Sequence, residues 1–176
     1  MSKKIKQKII SLLKSISFAV ILALAISTFI KPTIVNGQSM YPTLKDKDYL
    51  IVNKLAYINQ TPQRGDIIVF KTDLIDNNTN KKKDLVKRVI ALPGEHIVIK
   101  DGEVFIDSKK LNEDYLHGVN TDGNIDMIVP KNHIFTMGDN RPKSGDSREI
   151  GAINIDDIIG KVDIRLYPFN KIGNVQ

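Results

Sequence analysis

The chain has 176 residues, a formal net charge of +6 and no cysteine. The absence of cysteine excludes disulfide bonds and thiolate metal sites. Five lysines near the N-terminus supply +5 of the net charge, so the remainder is close to neutral and no nucleic-acid partner is indicated. These lysines are Lys3, Lys4, Lys6, Lys8 and Lys14.

The first predicted element is a membrane-spanning helix over residues 15–31. No charged residue lies from Ser15 to Ile30, and this stretch makes about 24 Å of helix, slightly short of a ~30 Å hydrocarbon core. Extension back to Ile10 gives a full span if Lys14 snorkels to the interface. Because lysines but no acids precede the apolar run, residues 1–14 are expected in the cytoplasm and residues 32–176 outside the cell membrane.

A cleavable secretory signal is the alternative to an anchor. Ala23-Leu24-Ala25 has the small-x-small pattern of a cleavage site, but it lies inside the apolar run. Lys31-Pro32 then follows the run without a clear small-residue site. These features favour an uncleaved, single-pass anchor.

The rest of the chain is expected to form one mainly β domain. Short apolar runs between turn-forming residues predict strands at 48–52, 67–70, 85–92, 96–99, 104–106, 134–137 and 161–167. Only residues 155–159 indicate a short helix. Many short strands favour an antiparallel, barrel-like β core. The polar, turn-rich stretch 111–130 indicates a small inserted subdomain.

Ser39 is the first candidate for chemistry, nine residues beyond the end of the apolar run. A serine hydroxyl attacks carbonyls poorly until a base removes its proton. The usual base is histidine, but His96, His117 and His133 stand in no motif that recommends them. They also lack the spacing of metal ligands, so no metal or cofactor is expected. Ser39 is therefore a nucleophile with another base or an ordinary loop serine.

Lys87 is the second candidate. If 85–91 is a strand, alternation places Lys87 on a face that is otherwise apolar. Burial disfavours the ammonium and lowers the lysine pKa from about 10.4 toward about 7 to 8, where an amine is a useful base. The alternative is a lysine that snorkels from the strand or pairs with an acid such as Asp84.

A third candidate is the polar segment 138–148. It is too polar for a core and too rich in hydrogen-bonding groups for a linker, so it is suited to orienting other side chains. The alternative is a self-satisfied surface turn that contains an Asp146–Arg148 ion pair.

Taken in order, these features resemble bacterial signal peptidase I, the membrane-anchored serine endopeptidase that removes signal peptides from exported preproteins. The resemblance covers essentially the whole chain and favours the compact form typical of Gram-positive-type bacteria. Its four sequence boxes are Ser39-Met40-Tyr41-Pro42-Thr43, Arg64 to Phe70, Lys87 to Glu95, and Gly138 to Arg148.

The resemblance implies a Ser–Lys dyad, with Ser39 as nucleophile and Lys87 as general base. It also implies that Ser144 hydrogen-bonds and orients the lysine, and that the Ser39 backbone N–H contributes to the oxyanion hole. The other residues that the resemblance implies are Asp146 and Arg148, which support the site, Arg88, which follows the base, and Met40, near the substrate pocket.

The resemblance further implies an inserted subdomain at about residues 97–131. The substrate would carry small side chains at the first and third positions before the cut and bind as an added β-strand. The expected partners are secretory signal peptides and the lipid bilayer, and the sequence gives no oligomeric state. Two positions depart from the family pattern. Gly37 stands where some relatives carry a serine that donates to the oxyanion hole, and Ala91 replaces a glycine.

Two other functions stay open at the level of sequence. Self-cleaving Ser–Lys repressors share a β core, but they are soluble and carry a DNA-binding helical region that this chain lacks. The second alternative is a catalytically silent, membrane-tethered β domain that binds exported proteins.

Overall fold

The computed structural model describes residues 3–76 and 79–175. It begins with helix α1 (Lys3–Phe29). By length and composition residues Lys4–Phe29 are able to cross a membrane, and the apolar window of this helix is not buried against the rest of the chain. The helix ends two residues before the predicted boundary at 31, because Ile30 and Lys31 already pair with a neighbouring strand.

The remaining elements are mostly strands. In chain order they are β1 (Ile30–Ile34), β2 (Tyr49–Asn53), β3 (Ile67–Ile75), β4 (Lys82–Ala91), β5 (His96–Lys100), β6 (Glu103–Ile106), β7 (Lys109–Lys110), β8 (Ile125–Ile128), β9 (His133–Met137), helix α2 (Ser147–Ile150), β10 (Ile153–Asn154), β11 (Ile158–Tyr167) and β12 (Gly173–Asn174). Every strand pair is antiparallel.

The main sheet has eight strands in the order β1-β2-β11-β3-β4-β9-β10, with β12 beside β11. Three strands separate β1 from β4, yet a salt bridge of 2.6 Å joins Lys31 of β1 to Asp84 of β4. The sheet therefore curls until these two strands face each other. The predicted mainly β, antiparallel and barrel-like fold is confirmed.

A second sheet lies between β4 and β9 in the chain, with the order β7-β6-β5-β8. It occupies residues 96–128, close to the insertion expected at 97–131. Its inward side chains, such as Ile97 and Ile99, share a buried cluster with Phe135 and Met137 of β9. The two sheets therefore share one core.

Strand β3 shows how the sequence builds this core. Four successive residues, from Ile67 to Phe70, are buried, because both faces of the strand are covered. Ile67 and Val69 pack in one apolar cluster, whereas Ile68 and Phe70 pack in another. The sequence therefore reads as a continuous apolar run and not as an alternation.

The predicted helix at 155–159 is limited to one 3-10 turn, Ile155–Asp157. The strand β11 takes over at Ile158, which pairs with Phe70 of β3. The one regular helix in the described part of the β domain is α2, inside the polar segment 138–148 and its neighbours, and the Asp146 side chain caps its first turn.

Candidate active site

Ser39 and Lys87 lie side by side. Ser39 stands in the turns that follow β1, and Lys87 belongs to β4. Lys87 Nζ is 2.6 Å from Ser39 Oγ, and Lys87 is only 2% exposed. Burial lowers the pKa of Lys87 to about 8, although the negative charges of Asp146 and Asp139 oppose the change. A neutral amine is therefore available at hydrogen-bond distance from a serine hydroxyl.

The alternative pairing of Lys87 with Asp84 is wrong. Asp84 binds Lys31 across the opening between β1 and β4, and Lys87 forms no ion pair within the described residues. Its partner is the uncharged hydroxyl of Ser39. The absence of a bound carboxylate leaves burial as the dominant influence on the Lys87 pKa.

A cleft of about 100 Å³ lies beside the two residues. Strand β1 pairs with β2 alone, and β9 pairs only with the part of β4 from Arg88 to Ala91. Strand β1 and the part of β4 before Arg88 therefore present unpaired backbone edges to the cleft. Its apolar lining consists of Ile34, Val35, Leu50, Val69, Leu85 and Val86.

The backbone around Ser39 is fixed by the segment 138–140. The Asn140 backbone N–H donates to the Ser39 carbonyl at 2.9 Å, and its side-chain amide donates to the Gln38 carbonyl at 2.9 Å. A methyl group at Gly138 would lie 2.3 Å from the Ser39 carbonyl oxygen and 2.2 Å from Ser144 Oγ. Only glycine fits between these two loops. Sequence reasoning assigned Gly138 no role, and its one signal was its place in a recognised box.

Asp146 connects this glycine to Arg148. Its buried carboxylate accepts from the Gly138 N–H at 3.0 Å and from Arg148 Nε at 2.9 Å. Burial alone would raise the pKa of Asp146, but the hydrogen bonds from Arg148 and Gly138 outweigh it and lower the pKa. The Asp146–Arg148 pair expected for a surface turn is present, but Asp146 is fully buried. The segment is therefore part of the domain interior.

Arg88 follows Lys87 on β4, and its side chain lies on the opposite face of the strand. Its Nε and Nη2 donate to the two carboxylate oxygens of Asp139 at 2.9 and 2.8 Å, and both side chains are nearly fully buried. Thr43, from the loop of Ser39, donates to the same carboxylate. The Arg88 guanidinium also stacks on the Tyr115 ring at 4.1 Å. Asp139 thus joins the strand of the lysine to the loop of the serine.

Arg141 joins the second sheet to this network. It donates to the Gly138 carbonyl at 3.1 Å and binds Glu113 with both terminal nitrogens. It also contacts the Thr121 hydroxyl. Sequence reasoning gave Asp139 and Arg141 no role beyond their place in the fourth box and missed Glu113, because no spacing rule relates a buried arginine to an acid in a distant loop.

Two side chains differ from what the resemblance implies. Ser144 Oγ is buried and makes no hydrogen bond to Lys87, whose amine faces Ser39; it lies close enough to Asp146 to help lower the pKa of that carboxyl. Met40 is 1% exposed and packs in the core with Leu44 and Leu50. It lies beneath the cleft and not in its lining.

Gly37 replaces a possible oxyanion donor, and the structure shows how its own backbone is used. Its N–H donates to Asp46 Oδ1 at 2.8 Å, and its φ of +103° lies in the region that favours glycine. The Ser39 backbone N–H makes no hydrogen bond within residues 3–76 and 79–175. It is therefore available to stabilise an oxyanion.

A serine hydroxyl beside a buried amine of lowered pKa is the arrangement of a serine hydrolase with a lysine base. The family model described as signal peptidase, peptidase S26, matches residues 9–167. Among curated relatives, signal peptidase I P of Bacillus subtilis subsp. natto is 38% identical over 186 residues, covering 99% of this chain and 97% of the relative. The chain belongs to the signal peptidase family, peptidase S26.

Other similar proteins carry related names. Signal peptidase I T of Bacillus subtilis strain 168 is 41% identical over 172 residues, covering 90% of this chain and 86% of that protein. A solved signal peptidase I from Enterococcus faecalis V583 is 32% identical and covers 58% of this chain and 97% of the solved chain, with a TM-score of 0.45.

Proposed function

We propose that this protein is a membrane-tethered signal peptidase I that cleaves signal peptides from exported preproteins, with Ser39 as nucleophile and Lys87 as general base. The observation that carries the proposal is the 2.6 Å contact between Lys87 Nζ and Ser39 Oγ, in a chain that belongs to the signal peptidase family. A catalytically silent binding domain has no need of a buried amine at a serine hydroxyl.

The proposed reaction begins with neutral Lys87. As Ser39 Oγ attacks the scissile carbonyl carbon, Lys87 Nζ takes the hydroxyl proton. The Ser39 N–H donates to the developing oxyanion. The Lys87 ammonium then gives its proton to the leaving amine of the mature protein. A water molecule hydrolyses the acyl-enzyme with Lys87 again as base, and this releases the signal peptide and restores Ser39.

The cleft supports the proposed substrate preference. An extended peptide is able to pair with the free edges of β1 and β4 and to add a strand between them. Alternate residues of such a strand point the same way, so the first and third positions before the cut face one lining. Because the cleft holds only about 100 Å³, these two side chains must be small.

Helix α1 supports a tether in the cell membrane. Its apolar window is unburied in the protein, which argues against a core helix. Strand β1 follows α1 directly, so Ser39 lies at most about 33–36 Å of extended chain beyond the helix. The lysines before the apolar run favour a cytoplasmic N-terminus and an extracytoplasmic β domain.

The proposal is tested with the full-length protein in lipid vesicles and a preprotein substrate. Mass spectrometry of the products should show a new N-terminus directly after a small-x-small sequence. The Ser39→Ala protein should yield none. Absence of any cut with the unaltered protein, together with no acylation of Ser39 by a mechanism-based serine inhibitor, would favour the silent binding domain.

A further inference from the structure

A second cavity lies next to Ser39 and has a different character from the cleft. It encloses about 510 Å³ and is lined by Gln38, Tyr41, Lys45, Asp46, Asn140 and Lys143. It shares no lining residue with the cleft of about 100 Å³. The two cavities meet at the Gln38–Ser39 peptide, because Gln38 lines one and Ser39 lines the other.

The charge of this second cavity is positive. Neither Lys45 nor Lys143 forms an ion pair with any of the described residues, and Lys45 lies 5.6 Å from the centre of the Tyr41 ring. The single acid, Asp46, already accepts from the Gly37 N–H at 2.8 Å and lies 3.7 Å from Lys47. Two lysine ammonium groups therefore remain to attract a negative charge.

We propose that this cavity binds the first residues of the mature protein after the cut, and that Lys45 and Lys143 favour acidic side chains there over basic ones. The inference rests on the proposed function. The small apolar cleft fits the small side chains before the cut, so a peptide that passes Ser39 Oγ enters the wide polar cavity next. Asn140 holds the boundary in place through its bonds to the Gln38 and Ser39 carbonyls.

The expected preference is moderate, because exposed charges are well solvated. An exposed ion pair contributes less than about 1 kcal/mol, which corresponds to about threefold to fivefold in rate for each lysine. The preference should also weaken with salt, since charges on the surface are screened at high ionic strength.

The test uses the full-length protein in neutral phosphatidylcholine vesicles and peptides that are identical up to the cut. The peptides carry Asp, Asn or Lys at the first, second or third position after it. We expect kcat/KM to follow Asp, then Asn, then Lys at one or more of these positions, with a total spread of about tenfold at low salt. The spread should collapse in high salt.

Two double variants make the test specific. In Lys45→Glu/Lys143→Glu the order of the Asp, Asn and Lys peptides should invert. The matched control Lys131→Glu/Lys171→Glu changes the same net charge at exposed residues that line neither cavity, and it should keep the original order.

The outcomes separate the two proposals. Equal cleavage of the Asp, Asn and Lys peptides at all three positions would overturn the charged subsite and leave the peptidase intact. The charged subsite is also overturned if the control variant inverts the order as strongly as the Lys45/Lys143 variant. Failure to cut any peptide would instead count against the proposed function itself.

Discussion

Lys87 and Arg88 are neighbours on β4, but their side chains enter separate networks. Lys87 Nζ contacts only the Ser39 hydroxyl among hydrogen-bonding partners in the described residues, whereas Arg88 binds both oxygens of Asp139. Alternation along a strand sends adjacent side chains to opposite faces. The strand therefore holds one amine whose pKa is lowered by burial to about 8 and one guanidinium with its own carboxylate.

The pKa of Lys87 predicts the pH dependence of cleavage. Since burial lowers this pKa to about 8, only about a tenth of the molecules carry the neutral amine at pH 7. We expect kcat/KM to rise about tenfold per pH unit below pH 7 and to level off above pH 8. Initial rates between pH 6 and 9.5 with one peptide measure this profile.

The matched variant is Lys87→Arg, whose guanidinium stays protonated across this range. It should show no measurable cleavage at any of these pH values while Ser39 and the fold remain. A flat wild-type profile, or an active Lys87→Arg protein, would contradict the assignment of Lys87 as the base.

The same pKa predicts that Lys87→Met stabilises the protein. The Lys87 pKa falls from 10.5 to about 8, so the unfolded chain binds more protons between pH 8 and 10.5, and stability rises with pH across that window. Below pH 8 both states are protonated, and the penalty for the buried ammonium is complete, at about 3 kcal/mol. Urea unfolding in detergent micelles should therefore show Lys87→Met more stable at pH 7.

This gain should shrink at pH 10 and above, where wild-type Lys87 is neutral in the folded state. If Lys87→Met is instead less stable at pH 7, the lysine is not destabilised by burial, and the cause of its lowered pKa must be different. If Lys87→Met loses cleavage and gains stability, the wild-type protein gives up stability in order to keep a base in its interior.

Seven strands were predictable from sequence, because each has an apolar run bounded by turn residues; these are β2, β3, β4, β5, β6, β9 and β11. The sequence did not predict the short strands β7, β8, β10 and β12, nor β1, where Pro32 interrupts any strand pattern. Proline is tolerated there because β1 pairs on one side only and has a free edge. The sequence of residues 30–34 does not indicate that β1 has a free edge, because the position of a strand in a sheet depends on how the whole domain curls.

The candidate site was predictable only where a motif carries it. Ser39 and Lys87 followed from their boxes and from the apolar face around Lys87. The close approach at Gly138 did not, because it depends on how the loops of Ser39 and Ser144 pack against each other. The burial of Met40 was missed for the same reason. Its apolar character suits a pocket as well as a core, and only packing decides.

Gly138→Ala should strongly lower the kcat/KM for cleavage while the protein still folds. The added methyl group would lie 2.3 Å from the Ser39 carbonyl oxygen, so the nucleophile loop must shift. A displacement of about 1 Å can lower the rate about 100-fold. The matched control is Gly145→Ala, whose methyl group meets only the Glu149 carboxylate at 3.3 Å. This end of a flexible side chain can move.

The measurement is kcat/KM for both alanine variants, with thermal unfolding as a check on the fold. Equal activity of the two variants would mean that the loop around Ser39 accommodates the methyl group without consequence. It would remove Gly138 from the residues that position the nucleophile.

Asp146→Asn should affect both stability and the pH profile. The pKa of Asp146 is lowered from 3.8, so its charge adds stability above the unfolded pKa, and this contribution is lost as the pH falls below about 3.8. At pH 7 the variant should lose about 3 kcal/mol, because Arg148 loses its buried partner. The difference from wild type should narrow toward pH 3 in denaturant titrations.

Kinetics separate this electrostatic effect from simple loss of packing. The Asp146 charge raises the pKa of Lys87, so its removal should move the midpoint of the pH–rate profile below 8. An unchanged midpoint in a folded Asp146→Asn protein would show that the carboxylate does not influence the lysine.

The Arg88–Asp139 pair should couple strongly in a double-mutant cycle. Each partner is nearly fully buried, so Arg88→Met or Asp139→Asn alone leaves an uncompensated group and should cost about 3 to 5 kcal/mol. The double variant should cost clearly less than the sum, since neither charge then remains. Urea unfolding in detergent measures the free energy of unfolding of the full-length wild type, the two single variants and the double variant.

The exposed pair Lys110–Glu103 in the second sheet provides the comparison, with side chains 62% and 42% exposed. Its cycle should give a coupling below about 1 kcal/mol. Additive costs at Arg88 and Asp139 would show that the pair does not join β4 to the loop of Ser39 through Asp139. In that case the Arg88 variant should retain kcat, because the Asn140 contacts and the Thr43–Asp139 bond would still hold the loop that carries the nucleophile.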